Sequence, residues 1–184
     1  AKASNEKLEE ILDMPPQKKP LSSVKVDVLE KISLKKVGFS YKSGDKPSVN
    51  DINLEIKGGD TIAFVGPSGS GKTTLVKLLV GLYSPTEGKI LINGIDSEKI
   101  DYDELRKKIG LVSQETQLFA GTIRENLLFV NAKATDKECL DVLKLASIEN
   151  ILERGGKGLD TKIGEGGLKL SGGERQRLAI ARAL

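Results

Sequence analysis

Gly66-Pro67-Ser68-Gly69-Ser70-Gly71-Lys72-Thr73 fits the pattern G-x-x-x-x-G-K-[ST], and its neighbours decide how it is read. Before it, Thr61 to Val65 is a short apolar run that predicts a fully buried strand. After it, Lys72 to Tyr83 places Leu75, Leu78, Leu79 and Leu82 on one helical face, and Ser84-Pro85 ends the helix. Strand, glycine-rich loop and helix in that order form a phosphate cradle. Glycines let the backbone curl so that its N–H groups face inward, and the helix start adds partial positive charge. Lys72 can reach the β- and γ-phosphates as a point charge, while the Thr73 hydroxyl offers a hard oxygen to Mg²⁺. Gly66, Pro67, Ser68, Gly69, Ser70, Gly71, Lys72, Thr73 and Thr74 are therefore the candidate nucleotide-binding residues. The pattern specifies a purine nucleotide, not its use.

Outward from the loop, the chain alternates between two periodicities. Val24, Val26 and Val28, then Ile32, Leu34 and Val37, alternate as half-buried strands do, and Gly44-Asp45-Lys46-Pro47 marks a turn. Ile52, Leu54 and Ile56 predict a strand before Lys57-Gly58-Gly59-Asp60, and Ile90 to Ile92 meet Asn93-Gly94, a hairpin turn signal. Asp101 to Lys108 reads as a polar helix and Ile109 to Val112 as a short strand. Thr135 with Glu138 forms a capping-box pattern, a further helix surrounds Ile148 to Leu152, and a glycine-rich loop from Gly155 to Gly167 precedes a last helix from about Glu174. Strands mixed with helices, and a helix-rich block over about 124–170, predict an α/β fold.

At 184 residues the chain is long enough for one ordinary domain. Its 38% hydrophobic and 30% charged residues exclude a disordered or fibrous protein. The 29 basic and 26 acidic residues are interspersed, the net charge is only +3, and 4% of residues are aromatic. That argues against a nucleic-acid partner. Cys139 stands alone, so no internal disulfide forms. No apolar run reaches the ~18 residues that a membrane-spanning helix needs, so any link to a membrane runs through another segment or partner.

A second constellation, Leu170-Ser171-Gly172-Gly173-Glu174-Arg175-Gln176, opens the last helix. Ser171 and Glu174 make a capping box that an ordinary helix could carry. Gly172 and Gly173 remain unexplained by it. Two glycines at a helix start cost stability unless something approaches the backbone closely, and a phosphate on exposed N–H groups would do so.

A phosphate loop followed by L-S-G-G-E-R-Q resembles the ATP-binding cassette family, whose signature these residues match letter for letter, over a likeness running from about Ile32 to Leu184. The resemblance implies a P-loop NTPase core with a mixed sheet, an antiparallel β subdomain and a helical signature subdomain. It implies ATP and Mg²⁺ as cofactors and a second ATP-binding domain as partner, in a homodimer or a pair of half-transporters. Ser171, Gly172 and Gly173 would contact the γ-phosphate held by the other domain. Tyr41 stands where the family stacks an aromatic on adenine, and Gln114 where a glutamine senses the metal and the attacking water. Lys72 and Gln114 are thus the expected catalytic residues, and Thr73 and Gln114 the expected metal contacts.

The resemblance is closest to exporters. Gly164-Glu165-Gly166-Gly167, with Glu165 as contact, is similar to a loop that touches membrane-domain helices, and Gln117 to Asn126, with Phe119 as apolar anchor, looks like the surface facing that domain. Ser4 to Pro16 resembles the linker from a membrane domain. The expected organisation is a connecting helix and linker over 1–20 and an ATP-binding domain over 21–184, at the cytoplasmic face of a membrane. In the family, a strand ending in Asp-Glu and a switch histidine follow the signature helix. This chain has no His, and no earlier apolar run ends in Asp-Glu. The reading therefore expects the family's C-terminal strands and catalytic Glu to be missing from these residues, leaving ATP binding without efficient turnover. The rival readings are a soluble ATPase of the same family in DNA repair or translation, and a small phosphotransferase. The short stretch between Gln114 and the signature has no sustained heptads, unlike the repair branch, a translation-type protein would normally show a second cassette, and the phosphotransferase leaves Leu170 to Gln176 without a role.

Overall fold

The alternating stretch after Glu30 builds one sheet. The computed structural model describes Leu12 and residues 23–42, 46–114 and 116–184. The leader Ser4 to Pro16 lies outside the described residues except for Leu12, and so does the Gly44-Asp45 part of the predicted turn. Two compact units divide between Ile109 and Gly110.

In the first unit, β1 (Lys31–Phe39), β2 (Val49–Lys57), β3 (Glu87–Ile92) and β4 (Ile95–Asp96) form a four-stranded sheet in the order β2-β1-β3-β4. Every neighbouring pair is antiparallel, with Leu34 opposite Leu54 on one side and Ile90 on the other. This register follows from the period-two pattern, because a one-residue slip would send Leu34 and Ile90 into solvent. Asn93 and Gly94 both take positive φ, at 50° and 80°, giving the tight turn between β3 and β4 that the dipeptide predicts. The Asn93 carboxamide then accepts from the backbone N–H groups of Glu30 and Lys31 at 2.9 and 3.0 Å, which anchors the turn to the start of β1.

Helix α1 (Lys72–Leu79) buries Leu75 and Leu78 against Leu34, Val37, Phe39, Val49 and Ile90. Each fully buried aliphatic side chain of this kind contributes about 1.5–3 kcal/mol. The helix stops four residues short of Tyr83. Gly81 takes φ 70°, its N–H donates to Leu78 O at 3.1 Å, and Leu82 N–H reaches back to Lys77 O at 2.9 Å. This glycine-led helix end leaves Leu82 exposed, not on the predicted buried face. Helix α2 (Tyr102–Arg106) is capped by Asp101, whose carboxylate accepts from Asp103 and Glu104, and it closes a small core of Val26, Ile92, Ile100 and Leu105.

Three predicted strand segments do not form. Thr61 to Val65 has no regular structure, with Ile62 exposed and Val65 94% exposed, and only Phe64 packs inward on the α1 core. Ile109 to Val112 is likewise irregular, and Leu111 and Val112 are exposed. A strand is held by hydrogen bonds to neighbours, and among the described residues no strand pairs with either segment. Every named strand pair is accordingly antiparallel. Val24 to Val28 contributes only a single parallel bridge, from Val24 to Ile100.

The second unit is mostly helical, as expected for the stretch after Arg124. It holds α3 (Ile123–Leu128), α4 (Asp136–Leu145), α5 (Asn150–Gly155) and α6 (Gly172–Ala183), with a two-stranded ladder between β5 (Gly121–Thr122) and β6 (Lys162–Ile163). Its core gathers Ile123, Leu127, Leu143, Ile148, Ile151, Ile163 and Leu178. Cys139 is buried in it, and burial pushes its thiol above the usual range, as suits a packing residue. The predicted capping box at Thr135 and Glu138 is present, and a second one, not read from the sequence, joins Thr122 to Glu125. Arg124 ties these helices together by donating to both Asp136 and Asp160.

Candidate functional site

Three helices in the described residues reach eight residues, and they begin differently. α4 and α6 start with a side-chain cap and a full capping box. α1 has none: its first residue follows Gly71, in a left-handed conformation at φ 88°, with no side-chain hydrogen bond to the first turn. The N–H groups of a helix's first turn have no intrahelical acceptor, so those of Lys72, Thr73 and Thr74 stay available to an anion. Gly71 cannot be replaced without disturbance, since a Cβ there would lie 2.3 Å from Ser48 O. The cradle is thus a backbone shape that this residue type makes possible.

Lys72 curls over that helix start. Its ammonium donates to Gly66 O at 2.8 Å, Pro67 O at 2.7 Å and Ser70 Oγ at 3.3 Å. A turn from Ser70 N–H to Pro67 O, 3.3 Å, closes the loop beneath it. The cation therefore sits centrally in the loop, and phosphate oxygens could replace these three acceptors.

Tyr41 lies in the same unit. Its hydroxyl is 3.1 Å from Thr74 Oγ1, which links the aromatic to the second residue after Lys72. Its ring meets Phe39 and Tyr83 edge-on, with centroids 4.9 and 5.6 Å away, while Phe39 and Tyr83 stack at 5.1 Å. Tyr83 was not singled out in the sequence. Sequence distance hides it, because only the folded unit brings 39, 41 and 83 together.

In the second unit, Ser171 caps α6: its Oγ accepts from Glu174 N–H at 3.3 Å, and Glu174 Oε2 accepts from Ser171 N–H at 2.8 Å. Glu174 is only 6% exposed and receives both arms of the Arg154 guanidinium, at 2.7 and 3.2 Å. The arginine first, then the Ser171 N–H, hold its carboxyl well below the usual range, at about 2. Gly172 and Gly173 are exposed with ordinary backbone angles. A Cβ at either would meet nothing closer than 3.4 Å, the Arg177 guanidinium beside Gly173. Among the described residues, packing does not require glycine there. Glycine lowers helix stability by up to about 1 kcal/mol relative to Ala, so the pair carries a local cost.

Gln114 is exposed in a bend, without the predicted strand before it. The two segments expected to face a membrane domain are brought together. Gly121 pairs with Ile163 across the β5–β6 ladder, and a Cβ on Gly164 would meet Ala120 Cα at 3.2 Å. Glu165 is exposed at the tip of this loop. Phe119 is exposed, not buried, and packs on the still more exposed Phe129 with ring centroids 4.4 Å apart. Asn126, fully buried and also missed in the sequence, holds the loop: its side chain accepts from Phe119 N–H at 2.9 Å and donates to Phe119 O and Thr122 O at 3.0 Å each. Among the described residues no cluster of acidic or cysteine side chains could hold a metal alone. The hard oxygen of Thr73, next to the available N–H groups, fits a metal carried in with a phosphate.

A helix start that is uncapped, led by a left-handed glycine and covered by a lysine defines a phosphate-loop nucleotide-binding domain. Residues 49–184 match the family model described as ABC transporter, and the chain belongs to that family. It is 44% identical over 152 aligned residues to a multidrug-export ATP-binding/permease relative of Staphylococcus aureus, covering 83% of this chain and 26% of that one. It is also 44% identical over 157 residues to the ATP-dependent lipid A-core flippase of Syntrophus aciditrophicus, covering 85% of this chain and 26% of that one. Among solved structures, a bacterial Atm1-family ABC exporter with ATP bound matches with a TM-score of 0.85 and 36% identity, over 98% of this chain and 32% of the other. The chain spans about a quarter of the length of these curated relatives. The ATP-binding cassette family expected from the phosphate loop and signature is borne out, the proteins it is similar to are exporters, as the loop and leader segments led one to expect, and the soluble repair or translation reading is not favoured.

Proposed function

We propose that this chain binds ATP with Mg²⁺, associates with a second ATP-binding domain, and uses that ATP-driven association to power export through a membrane domain. The observation that carries the reading is the complementary pair of helix starts. One is uncapped beneath Lys72 and made to cradle phosphate. The other, at Gly172 and Gly173, is capped by Ser171 but carries no Cβ in its first two positions, although among the described residues nothing would obstruct one.

In this reading Lys72 turns from the carbonyls of Gly66 and Pro67 to the β- and γ-phosphates, and the N–H groups from Gly69 to Thr74 bind the remaining oxygens. Mg²⁺, when bound, offsets phosphate charge, and Thr73 and Gln114 are its proposed protein contacts. Tyr41 stacks on adenine with its ring oriented by Phe39 and Tyr83. Ser171, Gly172 and Gly173 donate to the γ-phosphate held by the partner domain. Because that contact exists only when two domains meet, binding energy at the phosphates becomes association energy.

Phe119 and Phe129 supply an apolar foothold for a membrane-domain helix, and Glu165 a polar contact beside it. Residues 1–20 serve as the connection to that domain, 21–184 form the ATP-binding domain with its helical part at about 124–170, and the whole works at the cytoplasmic face of a membrane.

Two measurements test this. A fluorescent ATP analogue titrated into wild type and Lys72→Ala should lose at least ~30-fold in affinity, the scale of a charge-assisted phosphate contact. Sedimentation with a non-hydrolysable analogue should show pairing in wild type and none in Gly172→Asp, whose carboxylate opposes the incoming phosphate. Equal affinities in the first, or equal pairing in the second, would refute the assignment.

A further inference from the structure

The start of α6 carries a contradiction. Glu174 is the third residue of that helix, one position beyond Gly173, and the capping box holds its carboxylate in the first turn. A carboxylate there suits the helix dipole but opposes any anion that docks on the same turn. Glu174 is also buried, so water screens it poorly.

Arg154 meets this carboxylate from α5, twenty residues earlier, with one guanidinium nitrogen 2.7 Å from Oε1 and the other 3.2 Å from Oε2. Fork-to-fork pairing neutralises the charge and fixes the plane of the carboxylate. The other guanidinium groups nearby do neither. Arg175 donates to Leu170 O at 2.9 Å, and Arg177 lies alongside Gly173.

We propose that Arg154 is a positioning residue for nucleotide sandwiching: by neutralising Glu174 it lets the capped, glycine-led start of α6 receive the triphosphate of a partner domain. This rests on the proposed role of Gly172 and Gly173. The guanidinium of Arg154 bonds Glu174, so its removal is expected to act on pairing. The competing account is a plain structural tie between α5 and α6, and the two accounts differ in what Glu174→Gln does. A glutamine keeps the Oε that accepts the Ser171 N–H and lacks the charge.

The test is sedimentation of the full chain against a non-hydrolysable ATP analogue, with binding of a fluorescent ATP analogue measured in parallel. Arg154→Met should raise the analogue concentration for half-pairing by about tenfold or more, while fluorescent-analogue affinity stays within about twofold of wild type. Adding Glu174→Gln should bring half-pairing back to within about threefold of wild type. Glu174→Gln alone, which needs no charge partner to fold, should pair at least as readily as wild type. A double variant as defective as Arg154→Met, or a single Glu174→Gln with pairing weakened tenfold, overturns the electrostatic role and leaves only a tie. Wild type that fails to pair, or Gly172→Asp that pairs normally, instead refutes the reading beneath it, and this proposal with it.

Discussion

Replacing Gly71 and Gly69 by alanine, one at a time, separates backbone conformation from steric fit in the phosphate loop. Both residues have left-handed angles, φ 88° and 82°. A Cβ at Gly69 would meet nothing within 4 Å, whereas at Gly71 it would lie 2.3 Å from Ser48 O and 3.3 Å from Val49 Cγ2. The left-handed conformation costs an alanine about 1–2 kcal/mol, and this is the whole expected loss for Gly69→Ala. Gly71→Ala must also displace the carbonyl just before β2, which adds about 1–3 kcal/mol by the measure of overpacked sites. The total of about 2–5 kcal/mol corresponds to a fall in Tm of roughly 4–20 °C for a chain of this size, against roughly 2–8 °C for Gly69→Ala. Because the displaced carbonyl borders the start of α1, Gly71→Ala should also lose ATP affinity by about tenfold, one 1.4 kcal/mol step. Thermal melts and titration of a fluorescent ATP analogue measure both effects. Equal destabilisation by the two substitutions, or wild-type affinity in Gly71→Ala, would refute the claim that shape at this glycine makes the cradle.

Gly172→Ala should raise thermal stability, by up to about 1 kcal/mol, because the site has room for a methyl group and alanine favours helix, yet weaken analogue-driven pairing measured by sedimentation. Glu174 lies well below its unfolded value, so the stability it adds is complete above about pH 4.5 and is lost as pH falls toward about 2; acid melts of wild type against Glu174→Gln should diverge across that window and the variant should show the flatter profile. Tyr41→Phe should keep most of the adenine contact while losing only the link to Thr74, whereas Tyr41→Leu should weaken ATP binding about tenfold without a similar change for inorganic triphosphate, as competition titrations would show.

What the sequence disclosed depended on how local the cause was. The capping boxes at Thr135 and Ser171, the Asn93-Gly94 turn and the phosphate loop each depend on residues within a few positions, and each appears where its pattern lies. The buried faces of β1, β2 and β3 also follow from alternation, since period two fixes which face is buried, whereas their antiparallel pairing is implied by the family resemblance. Thr61 to Val65 was read as a buried strand because its residues are apolar, but apolarity supplies no hydrogen-bonding neighbour, and among the described residues none is present. Arg154 with Glu174, Asn126 with Phe119, and Tyr83 with Tyr41 join residues through tertiary packing, so no spacing rule exposes them. Gly81 was legible in principle. A glycine in the left-handed conformation ends the helix there, although the leucine periodicity continues to Leu82.

The buried carboxamide of Asn126 gives the Phe119 loop a mechanical property. One planar group accepts one hydrogen bond and donates two, so loop and helix α3 share a rigid joint where three separate contacts would flex independently. A push on the exposed Phe119 ring would then be borne by the whole helix, with little compliance lost in the loop. An alanine at 126 would remove all three hydrogen bonds at once and convert that stiff contact into a soft one. Stiffness at this point decides how much of a displacement on one side of the contact arrives on the other.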